Sequence, residues 1–148
     1  MIILDEQLGF NINRIAIIFR RELMRCLKEY KLSPEQWQVL VTLWNKKALS
    51  QAQIIELTLQ DAPSTSKMIS RMEKSQLIEI NASNKDKRVK VITLTKKGNS
   101  YRNTLPNKLL KHFEKLLIDF PLNQRKILLI QLKQLRISLG DIKKEGAE

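Results

Sequence analysis

Residues 61–98 read DAPSTSKMISRMEKSQLIEINASNKDKRVKVITLTKKG, and a change of rhythm inside this stretch decides the fold. From Pro63 to about Ser75, Met68, Ile69 and Met72 recur at helical spacing, and Asp61 is placed to cap that helix by accepting from an unpaired amide. Beyond Gln76 the period turns from helical to alternating. Leu77, Ile78 and Ile80 lead to a polar tip from Asn81 to Arg88, and Val89, Val91, Thr93 and Leu94 return as a β-branched strand. The stretch therefore reads as a helix followed by a two-stranded hairpin with a long basic tip.

Immediately upstream, Ser50-Gln51-Ala52-Gln53 is a helix start followed by Ile54, Ile55, Leu57 and Leu59, and Gln60-Asp61 breaks its pattern. Two short helices joined by so tight a turn form a helix-turn-helix, and the hairpin behind them is a wing. Ser33-Pro34-Glu35-Gln36 has the same starting form, with serine suited to the cap, proline to the first position and glutamine to the third. A first helix is expected from about Gln7 to Tyr30, with Leu8, Ile12, Ile15, Phe19, Leu23, Leu27 and Tyr30 on one stripe and Arg14, Arg20, Arg21, Arg25 and Lys28 opposite.

Downstream, Thr95-Lys96-Lys97-Gly98 opens a helical region reaching Pro121, and Pro106 within it predicts a kink or break. A last helix spans about Asn123 to Leu139, with Leu128, Leu132, Leu135 and Leu139 as a heptad-like seam. The tail from Gly140 to Glu148 is polar and expected to fray. The fold class is mainly α with a small β-hairpin wing. A winged helix-turn-helix at residues 33–98 is flanked by helical regions at 1–32 and 99–148. Those flanking helices carry more apolar surface than one slim chain covers, and either pack on each other or interlock two chains into a dimer.

Composition narrows the function. The 148 residues hold 27 lysines and arginines against 15 acids, a net charge of +12, and the pI is near 10.0. Such a balance points to a polyanionic partner, nucleic acid before an anionic membrane. From Lys67 to Lys97 nine basic residues face three acids, so the helix and wing hold half of the net charge. One cysteine excludes an internal disulfide, and one histidine argues against a histidine-rich metal site. No catalytic triad, P-loop or dinucleotide fingerprint can be assembled, so the chain reads as non-enzymatic, with no cofactor. Met1-Ile2-Ile3-Leu4 runs into Asp5-Glu6 without the basic and apolar regions of a signal peptide, and no apolar run approaches a membrane span, so a cytoplasmic location is the default.

Asp86-Lys87-Arg88 with Leu94-Thr95-Lys96-Lys97-Gly98 matches the pattern D-x-R-x-x-x-x-x-L-T-x-x-G. That spacing resembles the wing signature of MarR-type winged-helix transcriptional regulators. Asp61 to Lys74 is similar to the recognition helix of that family, and Ser33 to Trp44 to its second helix. The likeness extends from about Gln7 to Leu139. It implies a homodimer whose terminal helices form a shared dimerisation region and whose winged lobes bind double-stranded DNA at a palindromic operator, most simply as a repressor. It also implies that Arg88 enters the minor groove while Asp86 orients it by a paired hydrogen bond.

The residues support these roles in their own right. On the helix after Pro63, Ser64, Thr65, Ser66, Lys67, Ser70 and Arg71 remain for solvent or DNA once the apolar face is turned inward. Lys85, Lys87 and Lys90 suit phosphates, and Ser50 and Gln51 at a helix N-terminus suit one more, though capping explains both. Two departures from the family stand out. Gln76 takes the place of a glycine that usually ends the recognition helix, and Ile80 a position that is often basic. Cys26 reads as a small buried or dimer-facing residue. A small aromatic or anionic effector is a possible partner. Tyr30, Trp37 and His112 could line its cleft, but core packing accounts for them equally, and no effector site is assigned. The competing readings are a winged-helix protein-interaction module and a non-specific nucleoid-associated DNA binder.

Overall fold

A computed structural model describes residues 1–143; of the expected frayed tail, residues 144–148 lie outside the described residues. A 3₁₀ turn at Leu4–Glu6 precedes helix α1 (Leu8–Leu27), and a second at Lys28–Tyr30 follows it. Helices α2 (Pro34–Asn45), α3 (Gln51–Thr58) and α4 (Ala62–Lys74) lead to strands β1 (Ile78–Ala82) and β2 (Lys90–Leu94). Helices α5 (Lys96–Ser100), α6 (Leu105–Leu116) and α7 (Leu122–Ser138) complete the order. Packing divides the chain into two units, residues 1–109 and the residues from Leu110 on.

The starts of the helices are set by side chains. Ser33 Oγ accepts from the Gln36 amide at 3.2 Å while Gln36 Oε1 accepts from the Ser33 amide at 2.9 Å. Ser50 and Gln53 repeat that box with the same two distances. Each box satisfies two amides that the helix leaves unpaired. The first α-helix is shorter than its periodicity suggests: it ends at Leu27, and the 3₁₀ turn behind it closes on Lys31 in the left-handed region, φ 54°.

Within residues 1–109 the core is built by Leu27 from α1, Val39 and Leu40 from α2, Ile54 from α3, Met72 from α4 and Ile78 from β1, all essentially without exposure. The hairpin is antiparallel, with Ile78 opposite Leu94 and Ile80 opposite Ile92. Ile80 is half-buried on the face that carries Ile78 and Ile92. Its side chain thus adds to the apolar face of the hairpin. A pairing that the sequence did not announce adds to β2: Leu49 exchanges hydrogen bonds with Ile92, at 3.0 and 2.7 Å, pinning the loop between α2 and α3 to the wing.

The junction between α4 and the wing is closely tied. The Gln76 amide donates to Glu73 O at 2.8 Å and the Leu77 amide to Met72 O at 3.0 Å, the paired bonds of a Schellman ending, with Leu77 and Met72 both buried. Gln76 takes φ 58°, the conformation a glycine would adopt without steric cost. The far end of the wing returns to the same spot. Thr95 Oγ1 donates to Gln76 O at 2.5 Å, the Thr95 amide to Leu77 O at 3.2 Å, and Lys97 Nζ to Ser75 O at 2.9 Å. Gly98 lies so close that a Cβ there would sit 2.1 Å from Leu77 O.

Beyond α5 the chain breaks, as Pro106 leads one to expect. A 3₁₀ turn at Tyr101–Asn103 and Thr104 precede α6, so Pro106 occupies the first turn of the helix, where its missing N–H costs nothing. In the unit from Leu110 on, Arg125 holds the turn between α6 and α7: its guanidinium donates to Phe120 O and Leu117 O, both at 2.6 Å, and to both oxygens of Glu114. None of the α7 residues is buried, and Ile127, Leu129 and Ile130 stand more than half exposed. The end of α7 is better ordered than a frayed tail. Gly140, at φ 76°, takes the left-handed position, the Asp141 amide donates to Arg136 O at 2.9 Å, and Arg136 Nε donates to Asp141.

Two substitutions at the junction are expected to move stability in opposite directions. Gly98→Ala should destabilise by about 3 kcal/mol, because backbone and not a flexible side chain must yield. Gln76→Gly should stabilise by about 0.5–1 kcal/mol, the left-handed penalty relieved less the extra chain entropy of the unfolded state. Denaturant midpoints at unchanged slope check both.

Candidate nucleic-acid interface

Helix α4 has two unlike sides. Met68, Ile69 and Met72 are buried against the core, while Ser66, Lys67, Ser70 and Arg71 are exposed. Thr65 belongs with the first set, not the second. It has no exposed surface and its Oγ1 has no hydrogen-bond partner, which corrects its reading as a DNA-facing residue. The cause is periodicity: position 65 lies one turn before Met68 and Ile69 on the same stripe.

Ser64 is half-buried and engaged at the cap. Its amide donates to Asp61 Oδ1 at 2.7 Å and its hydroxyl to Oδ2 at 2.9 Å. The Ser64 amide and then its hydroxyl hold the Asp61 carboxyl below the usual carboxylate range, so this cap is charged at neutral pH and fails only as pH falls below that range. Ser50 is half-buried in its capping box, and Gln51 beside it is exposed.

At the tip of the wing Lys85, Asp86, Lys87, Arg88 and Lys90 are all exposed. The tip is folded by its own bonds: the Ser83 amide donates to Val89 O at 2.7 Å, the Val89 amide to Asp86 O at 3.0 Å and the Lys85 amide to Ser83 Oγ at 3.2 Å. Asp86 Oδ1 accepts from the backbone amide of Arg88 at 2.9 Å. This corrects the expected pairing with the guanidinium. Asp86 fixes the turn from which Arg88 projects and leaves the guanidinium to a partner.

The ion pairs of the described residues lie away from this face, although many lysines elsewhere are unpaired as well. Arg20 meets Glu35 at 2.6 Å, Arg25 meets Glu22 at 2.7 Å, Lys108 meets Glu29, and Arg125 meets Glu114 at 2.8 Å. Among the described residues, Lys67, Arg71, Lys85, Lys87, Arg88 and Lys90 form no ion pair. The helix and the wing tip thus present uncompensated cations.

Comparison with known proteins agrees with this geometry. The model of the MarR family matches residues 32–90. The HTH-type transcriptional regulator MgrA of Staphylococcus aureus is 30% identical over 105 residues, 70% of this chain and 71% of that protein. The chain belongs to the MarR family. It is a transcriptional regulator with a winged-helix DNA-binding fold, not an enzyme. Two solved structures share the fold at lower identity. CouR of Rhodococcus jostii, a transcriptional repressor bound to a 23-mer DNA duplex, superposes with TM-score 0.82 at 23% identity, covering 89% of this chain and 94% of that one. BpsR of Bordetella bronchiseptica, whose DNA binding is regulated by 6-hydroxynicotinic acid, gives 0.81 at 18% identity, covering 91% and 96%.

The MarR fold here also uses residues that a sensor could have claimed. Tyr30 packs edge-on against Tyr101 with centroids 5.1 Å apart, and Trp37 against Trp44 at 5.5 Å, while Trp44 Nε1 donates to Gly98 O at 3.2 Å. His112 stands edge-on to Phe113 at 5.5 Å. Cys26 is 5% exposed, and burial pushes its thiol up, away from the reactive thiolate. No group of three or more metal-ligating side chains occurs among the described residues, and no helix of theirs is long and apolar enough to cross a membrane.

The structure adds one residue to the face. Lys47 lines a trough of about 660 Å³ together with Lys85, Asn81 and Asn84, because the Leu49–Ile92 pairing draws its loop alongside the wing. Lys46-Lys47 has no periodicity, and nothing in the sequence separates it from an ordinary polar loop.

Thr65→Val tests the reassignment. Removing a buried hydroxyl with no partner should raise stability by about 1 kcal/mol, and DNA affinity measured by anisotropy should stay at the wild-type value.

Proposed function

We propose that this MarR regulator is a homodimeric repressor that reads a palindromic operator with α4 in the major groove and Arg88 in the minor groove. The observation that carries the reading is the set of uncompensated cations on α4 and the wing tip, in a chain whose other arginines largely meet carboxylates. Ser66, Lys67, Ser70 and Arg71 face the groove. Lys85, Lys87 and Lys90 take phosphates, with Gln51 and Ser50 supplying one further backbone contact. A guanidinium placed by a folded loop suits the negative potential of a narrow minor groove. Ser64 serves the cap and reaches DNA only in that capacity.

Residues 33–98 then form the DNA-binding region, and residues 1–32 and 99–148 the dimerisation region. The apolar side chains left exposed on α1 and α7, among them Ile15, Ile17, Ile127 and Ile130, support an interface there. A second copy also supplies the second half-site, one helical turn away. CouR bound to a DNA duplex and BpsR regulated by 6-hydroxynicotinic acid support the same partners here: duplex DNA, and a small aromatic or anionic effector. A general nucleoid binder would need the charge but not the ordered tip, and an interaction module would need neither groove-sized element.

Arg88→Ala discriminates these readings on a duplex from the regulator's own promoter. It should cost at least about tenfold in affinity, whereas Lys115→Ala, an exposed cation on α6, should change it by less than about twofold. Equal losses would leave bulk charge as the whole explanation. Sedimentation should give a dimer at micromolar concentration, and a monomer would remove the paired half-sites.

A further inference from the structure

The wing has two faces. Ile92 is buried in the core, so Val91 and Thr93 on either side of it point the other way, and Asn81 lies opposite Val91 on that outer face. These three residues and Asn84 line the trough of about 660 Å³, with Lys47 and Lys85. The two cations come from separate parts of the chain. Lys85 belongs to the tip of the wing, and Lys47 is brought there because the Leu49–Ile92 pairing adds its loop to the edge of β2 that β1 leaves open. None of the residues that line the trough is acidic, and neither lysine forms an ion pair among the described residues. Two cations, two carboxamides able to donate and no carboxylate make a surface for an anion. Its volume far exceeds that of one phosphate group, so an extended polyanion fits it better than a free ion.

We infer that the trough seats the outer sugar-phosphate backbone of the operator, with Lys47 and Lys85 on separate phosphates and Asn81 and Asn84 donating to phosphate oxygens. The inference rests on the entry of Arg88 into the minor groove under the proposed function. That groove is about 6 Å wide and is walled by both backbones, so a hairpin tip inserted in it meets one strand on each of its faces. In the proposed complex, Lys67, Arg71 and the start of α3 serve the strand toward the helices. The other strand passes along the face that turns away from the core, and Lys47 stands there. Lys47 is thus a positioning residue: it reads no base, and it holds the wing in the groove from the outer side. The contact zone then reaches past the last base pair that is read, and the duplex has to continue beyond the minor-groove contact for affinity to be complete.

Hydroxyl-radical footprinting of the full chain on its own promoter duplex locates the minor-groove contacts. Two duplexes follow from that map, one extending about ten base pairs beyond the outermost contacts, a full helical turn, and one cut at them. On the long duplex, Lys47→Ala should lower the slope of log affinity against log salt by about 0.9 and the affinity at about 0.1 M salt by about fivefold. A scrambled duplex of equal length should show the same factor, because phosphates carry no sequence. Lys47→Arg should keep both slope and affinity. On the cut duplex wild type and Lys47→Ala should bind alike, and on the long one Lys47→Ala should lose backbone protection on the outer strand alone. Lys47 is exposed, so the denaturant midpoint of Lys47→Ala should equal that of the wild type. A Lys47→Ala chain that binds the long duplex as the wild type does, or that loses as much on the cut duplex, would overturn the inference. Neither result bears on Arg88, whose reading falls separately if Arg88→Ala leaves promoter preference and minor-groove protection unchanged.

Discussion

The meeting of four backbone segments at Ser75, Gln76 and Leu77 is the constraint on which the rest depends. Helix α4 ends there, β1 begins there, and the return of β2 into α5 is tied there by Thr95, Lys97 and Gly98. Helix α4 and the wing are therefore not connected by a free hinge. Each end of the wing is bonded at the end of the helix, so the tip is carried at a fixed offset from the exposed side of α4. The Thr95-x-x-Gly98 part of the wing signature is explained by this packing: Thr95 caps α5 and donates to Gln76, and Gly98 leaves room for the Leu77 carbonyl. That Gln76 tolerates φ 58° without being glycine shows how strongly its surroundings determine it.

Electrostatics complete what this geometry begins. Ion pairs form along α1, α2, α6 and α7, and the cations of α4 and the wing tip form none among the described residues. Asp86 and Asp61 are both occupied with backbone amides, which gives each a structural task. A net charge of +12 would attract any polyanion. Its concentration on two rigidly joined elements is what makes a groove-shaped partner the better fit.

Much of the fold was legible because the signals are local. Ser33 with Gln36, Ser50 with Gln53, and Asp61 before Pro63 announce three helix starts, and each forms as a side-chain cap. The shift from helical to alternating period at Gln76 places the hairpin. What escaped was non-local or chemically ambiguous. A single residue pair, Leu49 with Ile92, joins segments more than forty residues apart and leaves no periodic trace. Thr65 shares the inward stripe, but its hydroxyl argued for the outside, and the stripe prevailed. An acid two residues before an arginine can reach the amide as easily as the guanidinium, and Asp86 takes the amide. The trough beside the wing depends on the Leu49–Ile92 pairing and could not be read from either segment alone.

The most direct measurement is anisotropy of the full chain on its own promoter duplex and on a scrambled duplex, across a salt series. Affinity should fall steeply with salt on both, since released counterions drive the phosphate contribution. Groove reading by α4 and Arg88 requires the promoter to be preferred by roughly 10³-fold or more. Equal affinity for the two duplexes at every salt concentration would contradict it.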